Sequence, residues 1–132
     1  MLIEHPGFIG ADTALGNLKY LAGLDGGLDE QETERLMKVF GIWRQRNEKV
    51  RSFSLGMRQK LAIVQALMEH QRLILLDEPT NGLDHESVLA FQREMRRQQN
   101  LGNTVIIASH HGDELREIAD RILHMENGRV AN

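Results

Sequence analysis

The chain has 132 residues, 41% hydrophobic and 27% charged, with twelve glycines, two prolines and no cysteine. At roughly 150 residues per domain that is one domain or slightly less, long enough to bury about two-thirds of its unfolded surface without cross-links. The absence of cysteine excludes a disulfide scaffold and any thiolate metal site, and sixteen basic against nineteen acidic residues (net charge −3) argue against a dedicated nucleic-acid surface. Apolar runs such as Leu73–Leu76 fall far short of the ~20 residues of a membrane span, and Met1–His5 has no signal-peptide character, so a soluble intracellular domain is expected.

In chain order, Leu15, Leu18, Tyr20, Leu21 and Leu24 predict one short helix in a glycine-rich opening stretch. Asp29 followed by Glu32 resembles a capping box, Leu36, Met37 and Phe40 line one face of the helix it starts, and Gly41 stops it. The basic segment Arg44, Arg46, Lys49, Arg51 reads as an irregular, solvated face without interleaved aromatics. From Gly56 the spacing of Met57, Leu61, Val64, Leu67 and Met68 predicts a helix to about Glu69. Leu73–Leu76 reads as a strand buried on both faces, and Asp84–Asn100 as a helix with Val88, Leu89, Phe91 and Met95 inward. A second buried strand follows at Thr104–Ala108, then a short helix at Asp113–Ala119. Ile122–Met125 and Arg129–Ala131 flank Asn127-Gly128, a strong hairpin signal. Alternating strands and helices from residue 73 onward imply a parallel α/β sheet after a mainly helical first part. Met1-Leu2-Ile3 reads as the end of a strand begun elsewhere, so the chain is expected to be a piece of something larger.

Chemistry-bearing residues cluster at predicted element ends. Asp77 and Glu78 close a buried strand at the edge where parallel sheets bind ligands; an Asp there can hold Mg²⁺ and a Glu can address a water, although the same residues also read as a strand entering a turn closed by Pro79. Ser54-Leu55-Gly56-Met57-Arg58-Gln59 opens a helix whose free N–H groups suit a phosphate, or Ser54 is an ordinary N-cap. Ser109-His110 ends the next strand; His110, or its neighbour His111, can bond a phosphate or be a plain surface histidine. Asn81-Gly82-Leu83-Asp84 is a glycine turn into a helix, with Asp84 as its cap.

The order and spacing of these pieces closely resemble the ATP-binding-cassette (ABC) ATPases over essentially the whole chain. The resemblance implies a partial P-loop NTPase (RecA-like) parallel sheet plus the ABC helical subdomain: residues 1–71 hold the Q-loop region and helical subdomain, 72–132 the second half of the catalytic core. It makes Phe53–Met57 the signature, in a Ser-Leu-Gly-Met variant similar to drug and antibiotic exporters, Leu73–Asp77 the Walker B strand and Asn81–Asp84 the D-loop. It implies Glu78 as catalytic glutamate, His110 as switch histidine, Asp77 and Glu4 on the Mg²⁺ side, and ATP contacts for Ser54, Leu55, Gly56, Met57 and Asp84. Glu4 stands where most members carry glutamine, as in lantibiotic and bacitracin-type ATPases. Gln71 replaces the proline usual before Walker B, and His111 replaces an apolar residue.

No G-x-x-x-x-G-K-[ST] occurs in the sequence, so the phosphate-cradling loop is expected upstream of Met1. The implied protein is an ATP-hydrolysing subunit of an ABC exporter, pairing head to tail with a second cassette and docking on a transmembrane permease at the cytoplasmic face, with no nucleic-acid partner. The alternatives are a non-catalytic fragment offering its signature face to a full-length cassette, a non-transport ABC ATPase, or a poorly folded remnant.

Overall fold

Capping chemistry fixes where the first helices begin and end. A computed structural model describes residues 2–3, 7–23, 26–110 and 112–131. The Asp29 carboxylate accepts the Glu32 N–H at 3.1 Å and starts α2 (Glu30–Val39), whose Leu36 and Met37 are buried along with Phe40 just beyond it. Gly41, at φ +72°, turns the chain out of the helix as expected. The preceding α1 (Ala14–Gly23) buries Leu18 and Ala22, but Tyr20 points to solvent and Leu24 lies outside the described residues. Asn17 is buried in α1; its amide accepts the Ile9 N–H at 2.7 Å and donates to the Ile9 and Thr13 carbonyls, tying the loop before the helix to it.

The basic segment corrects one expectation. It folds as two 3₁₀ turns, Trp43–Gln45 and Val50–Ser52, and Trp43 carries the Arg46 guanidinium 4.2 Å from its ring centroid with the Lys38 ammonium at 5.7 Å. Trp43, just before the segment, half-buries Arg46 instead of leaving it solvated, while Arg44, Lys49 and Arg51 are exposed as expected. The next helix, α3 (Leu55–Leu67), starts one residue before Gly56 and stops short of Glu69; His70 then takes a left-handed conformation. Every residue from Leu61 to Met68 is buried, so α3 is the central helix.

Three parallel strands, β1 (Leu2–Ile3), β2 (Leu73–Asp77) and β3 (Thr104–Ala108), lie in the order β1–β2–β3. The register sets Leu2 beside Leu75, Leu75 beside Ile106, and Asp77 beside Ala108. The crossover between β2 and β3 is α4 (His85–Asn100), with Asp84 as its cap and not its first residue. Val88, Phe91 and Met95 face inward, but Leu89 is exposed, because one residue after Val88 the helix has turned by roughly 100°. The strands are also less enclosed than two buried strands would be. Ile74 and Leu76 are buried while Leu73 is half-exposed, and Thr104, Ile106 and Ala108 face solvent. Among the described strands, β3 pairs only with β2 and leaves its outer edge open.

After β3 come α5 (Asp113–Arg116), three residues shorter than expected, and a hairpin of β4 (His124–Glu126) and β5 (Arg129–Ala131). Asn127 and Gly128 both have positive φ, as a type I′ turn demands. The hairpin forms its own antiparallel sheet, so the strand expected over Ile122–Met125 does not extend the parallel one.

One apolar cluster runs from Ala14 to Ile118 through α1, α2, α3, β2 and α4. Beside it, Arg35 of α2 grips the buried Glu94 of α4 with two hydrogen bonds, at 2.7 and 3.1 Å, and also holds Glu32. Arg97 at 3.3 Å and Gln98 at 3.1 Å complete the shell around Glu94. The paired carboxylates, Glu32 first and then Glu94, hold the Arg35 guanidinium well above its ordinary pKa. No helix among the described residues is long and apolar enough to cross a membrane.

Candidate functional site

Two parallel strands in register end at the same edge, so whatever follows β2 meets whatever follows β3. The Glu78 N–H donates to the Ala108 carbonyl at 2.8 Å, extending the ladder by one rung, and there the chain leaves the strand: Glu78 has φ +47°. A non-glycine residue pays about 1–2 kcal/mol in that conformation and persists only where its surroundings over-determine it. Here they do. The Glu78 carboxylate accepts the His110 N–H at 2.8 Å on Oε1 and the Ser109 hydroxyl at 3.4 Å on Oε2. The carbonyls of Glu78 and Pro79 both accept from the Gln59 side chain of α3, at 3.2 and 2.8 Å. Glu78 is mostly enclosed, whereas the His110 ring is 96% exposed, with Nε2 3.8 Å from Oε1. The carboxylate is therefore a fixed point, and the imidazole is free to turn toward a ligand. The carboxylate of Asp77, the last residue of β2, has no hydrogen-bond or ion-pair partner among the described residues.

The signature-like segment lies against the same turn. Ser54 caps α3, its hydroxyl accepting the Met57 N–H at 3.1 Å. The N–H groups of Leu55 and Gly56, in the first turn, have no partner within the helix. A Cβ placed on Gly56 would stand 2.9 Å from the Gly82 carbonyl oxygen, so only glycine lets the helix come this close to the turn. Gly82 itself has φ +77°. Asp84, expected among the nucleotide contacts, spends one carboxylate oxygen on capping α4 through the Ser87 N–H at 3.0 Å. Its bonds to Ser87 hold its carboxyl below the ordinary value.

The structure thus gathers Gly56, Asp77, Glu78, Gly82 and His110 around one turn, with Ser54 at the adjoining helix end. Glu4 and His111 lie outside the described residues. Sequence reasoning places Gln59 at the end of the helix-opening segment Ser54–Gln59 but gives it no role of its own; its signal is that place, three residues after Gly56 on a helix start already read as functional. No cluster of three or more acidic or histidine side chains poised for a metal occurs among the described residues. The Asp77 carboxylate at the end of β2 nonetheless suits Mg²⁺, which takes one or two carboxylates and keeps several waters.

A parallel sheet with a carboxylate pair at one edge and a capped helix end packed over the following turn makes an α/β fold with an added helical part. The model of the ABC transporter family matches residues 1–81, and the chain belongs to that family. It is 36% identical over 132 residues to the bacitracin transport ATP-binding protein BcrA of Enterococcus faecalis, covering 98% of this chain and 42% of that protein. It is 37% identical over 122 residues to the ABC transporter ATP-binding protein NatA of Bacillus subtilis (strain 168), covering 89% of this chain and 49% of that one. Among solved structures, the ATP-binding subunit of an ABC transporter superposes with a TM-score of 0.86 at 30% identity, over 97% of this chain and 55% of that chain. The chain therefore spans less than half the length of the curated relatives named here.

Proposed function

We propose that this chain is the helical and Walker B part of the ATP-hydrolysing subunit of an ABC exporter. One observation supports it most: Glu78 is held in a strained backbone conformation with its carboxylate fixed against the His110 N–H, at the edge where two parallel strands end. In this reading Glu78 takes the proton of the attacking water. His110 turns its exposed ring to orient that water and the γ-phosphate. Asp77, and Glu4 by resemblance, would hold Mg²⁺, which supplies charge neutralisation on the phosphates. Ser54, the N–H groups of Leu55 and Gly56, and Met57 would contact the γ-phosphate of ATP bound to a second cassette, with Asp84 beside it in the D-loop. The other partners are a transmembrane permease and the cytoplasmic face of the membrane.

A second reading has its own observation. The sequence carries no G-x-x-x-x-G-K-[ST], so the 132 residues by themselves offer no lysine to the β- and γ-phosphates. The chain would then act as a non-catalytic module that docks its signature face on a full-length cassette. Calorimetry of the 132-residue chain with Mg-ATP should give no better than millimolar affinity under either reading. Turnover separates the two. With the chain joined to a phosphate-cradling half, Glu78→Gln should abolish hydrolysis and leave ATP binding intact, because only the base is lost. Hydrolysis within about tenfold of the unmodified protein would remove Glu78 from the base role.

A further inference from the structure

We infer that Gln59 is a positioning residue for Glu78: from the first turns of α3 it holds the backbone that aims the carboxylate. The inference rests on the reading of Glu78 as the base, and its geometry stands independently. Glu78 occupies the left-handed region at φ +47°, where a side chain with a Cβ does not settle unaided. Its own N–H is used in the ladder to Ala108, so the strand fixes one end of the residue. The other end, the peptide linking Glu78 to Pro79, cannot be held through an N–H, because proline has none. Glu78 O also accepts the Asn81 N–H of the turn at 3.2 Å, but the side chain that spans both carbonyls is one amide: Gln59 Nε2 donates to Glu78 O at 3.2 Å and to Pro79 O at 2.8 Å. Gln59 is half-buried and Pro79 buried, so water is a poor substitute for that amide.

The same helix carries Ser54 at its cap and Gly56 against the Gly82 carbonyl. A helix end that meets a partner's nucleotide is thereby joined, through one side chain, to the backbone of the hydrolytic carboxylate. The Gln59 amide is committed to two main-chain carbonyls. It acts through Glu78.

The test needs no ATPase activity. Hydrogen exchange of the 132-residue chain, followed by NMR, reads the His110 amide, whose acceptor is the Glu78 carboxylate. Gln59→Met keeps the unbranched stem and removes the donor; it should speed His110 exchange by about tenfold or more while the Leu36 and Phe91 amides stay within about twofold of the unmodified chain. Gln59→Lys restores an N–H donor on an unbranched stem and should return His110 exchange toward its original rate. Asp29→Ala removes the α2 cap far from the site, reports what general destabilisation does, and should leave His110 unaffected. Unchanged His110 exchange in Gln59→Met overturns the inference. So does equal acceleration in Gln59→Met and Asp29→Ala, and so does failure of Gln59→Lys to restore protection. Failure of the base assignment appears elsewhere, in the turnover of Glu78→Gln, and leaves these exchange rates as they are.

Discussion

The Arg35–Glu94 pair gives the sharpest energetic test of how the helical part is held to the sheet. Glu94 is 3% exposed and receives two hydrogen bonds from Arg35, while Arg35 is still about one-third exposed. Removing one partner of a buried pair costs about 3–5 kcal/mol, mostly as the penalty of a stranded charge. Glu94 would retain Arg97 at 3.3 Å and Gln98 at 3.1 Å, so the expected cost of Arg35→Met is lower, about 2–3 kcal/mol. That is a large share of the ~5–15 kcal/mol by which domains are stable, and about 6–9 °C in Tm. Replacing both residues, Arg35→Met with Glu94→Leu, removes the stranded charge and should cost only about 1 kcal/mol. Urea unfolding followed by circular dichroism, analysed as a double-mutant cycle at constant m, measures this. A single-variant loss below about 1 kcal/mol, or a double variant no more stable than Arg35→Met, would refute the reasoning.

Gly56→Ala should destabilise by about 1–2 kcal/mol and shift the Gly82 amide resonance, because the new methyl meets a main-chain oxygen at 2.9 Å; a variant more stable than the parent, as Gly→Ala in an open helix would be, contradicts this. Asp84 has a lowered pKa in the fold, so the folded state binds fewer protons than the unfolded one near the ordinary value of 3.8. Its contribution is present above that value and is lost as pH falls through the folded pKa. Asp84→Asn, which caps without titrating, should therefore flatten the fall of the urea midpoint below about pH 4; an identical slope would show that the cap charge is not responsible. His110→Ala in the joined, ATP-hydrolysing form should cut turnover by about tenfold or more, and an unaltered kcat would return His110 to the role of a surface residue.

What the sequence disclosed about the fold divides by the range of the interaction. Asp29, Asp84 and Gly41 act on their own backbone within a few residues, and Asn127-Gly128 sets its own dihedrals, so their elements were legible. Thr104–Ala108 was placed to the residue, but its burial was not, since burial depends on what packs against a strand and not on its composition. Leu89 was misjudged because apolar character outweighed its angle on α4. At the site, Asp77, Glu78 and His110 were legible as strand ends that a parallel sheet must bring to one edge. The Gln59 bond to Pro79 joins residues twenty apart and that of Arg35 to Glu94 residues fifty-nine apart, and no local pattern encodes either.

The open side of β3 decides how this chain behaves at high concentration. Its outward N–H and C=O groups meet no strand among the described residues, and Ile106 stands 55% exposed at its middle. A mostly apolar strand of five residues with one flank unpaired among the described residues is a template for pairing with an extended peptide, including the same strand of a neighbouring molecule. Self-association of this chain should therefore begin along Thr104–Ala108. A lysine at Ile106, placing a charge on the exposed face of that strand, should disfavour such pairing without touching the turn that carries Glu78.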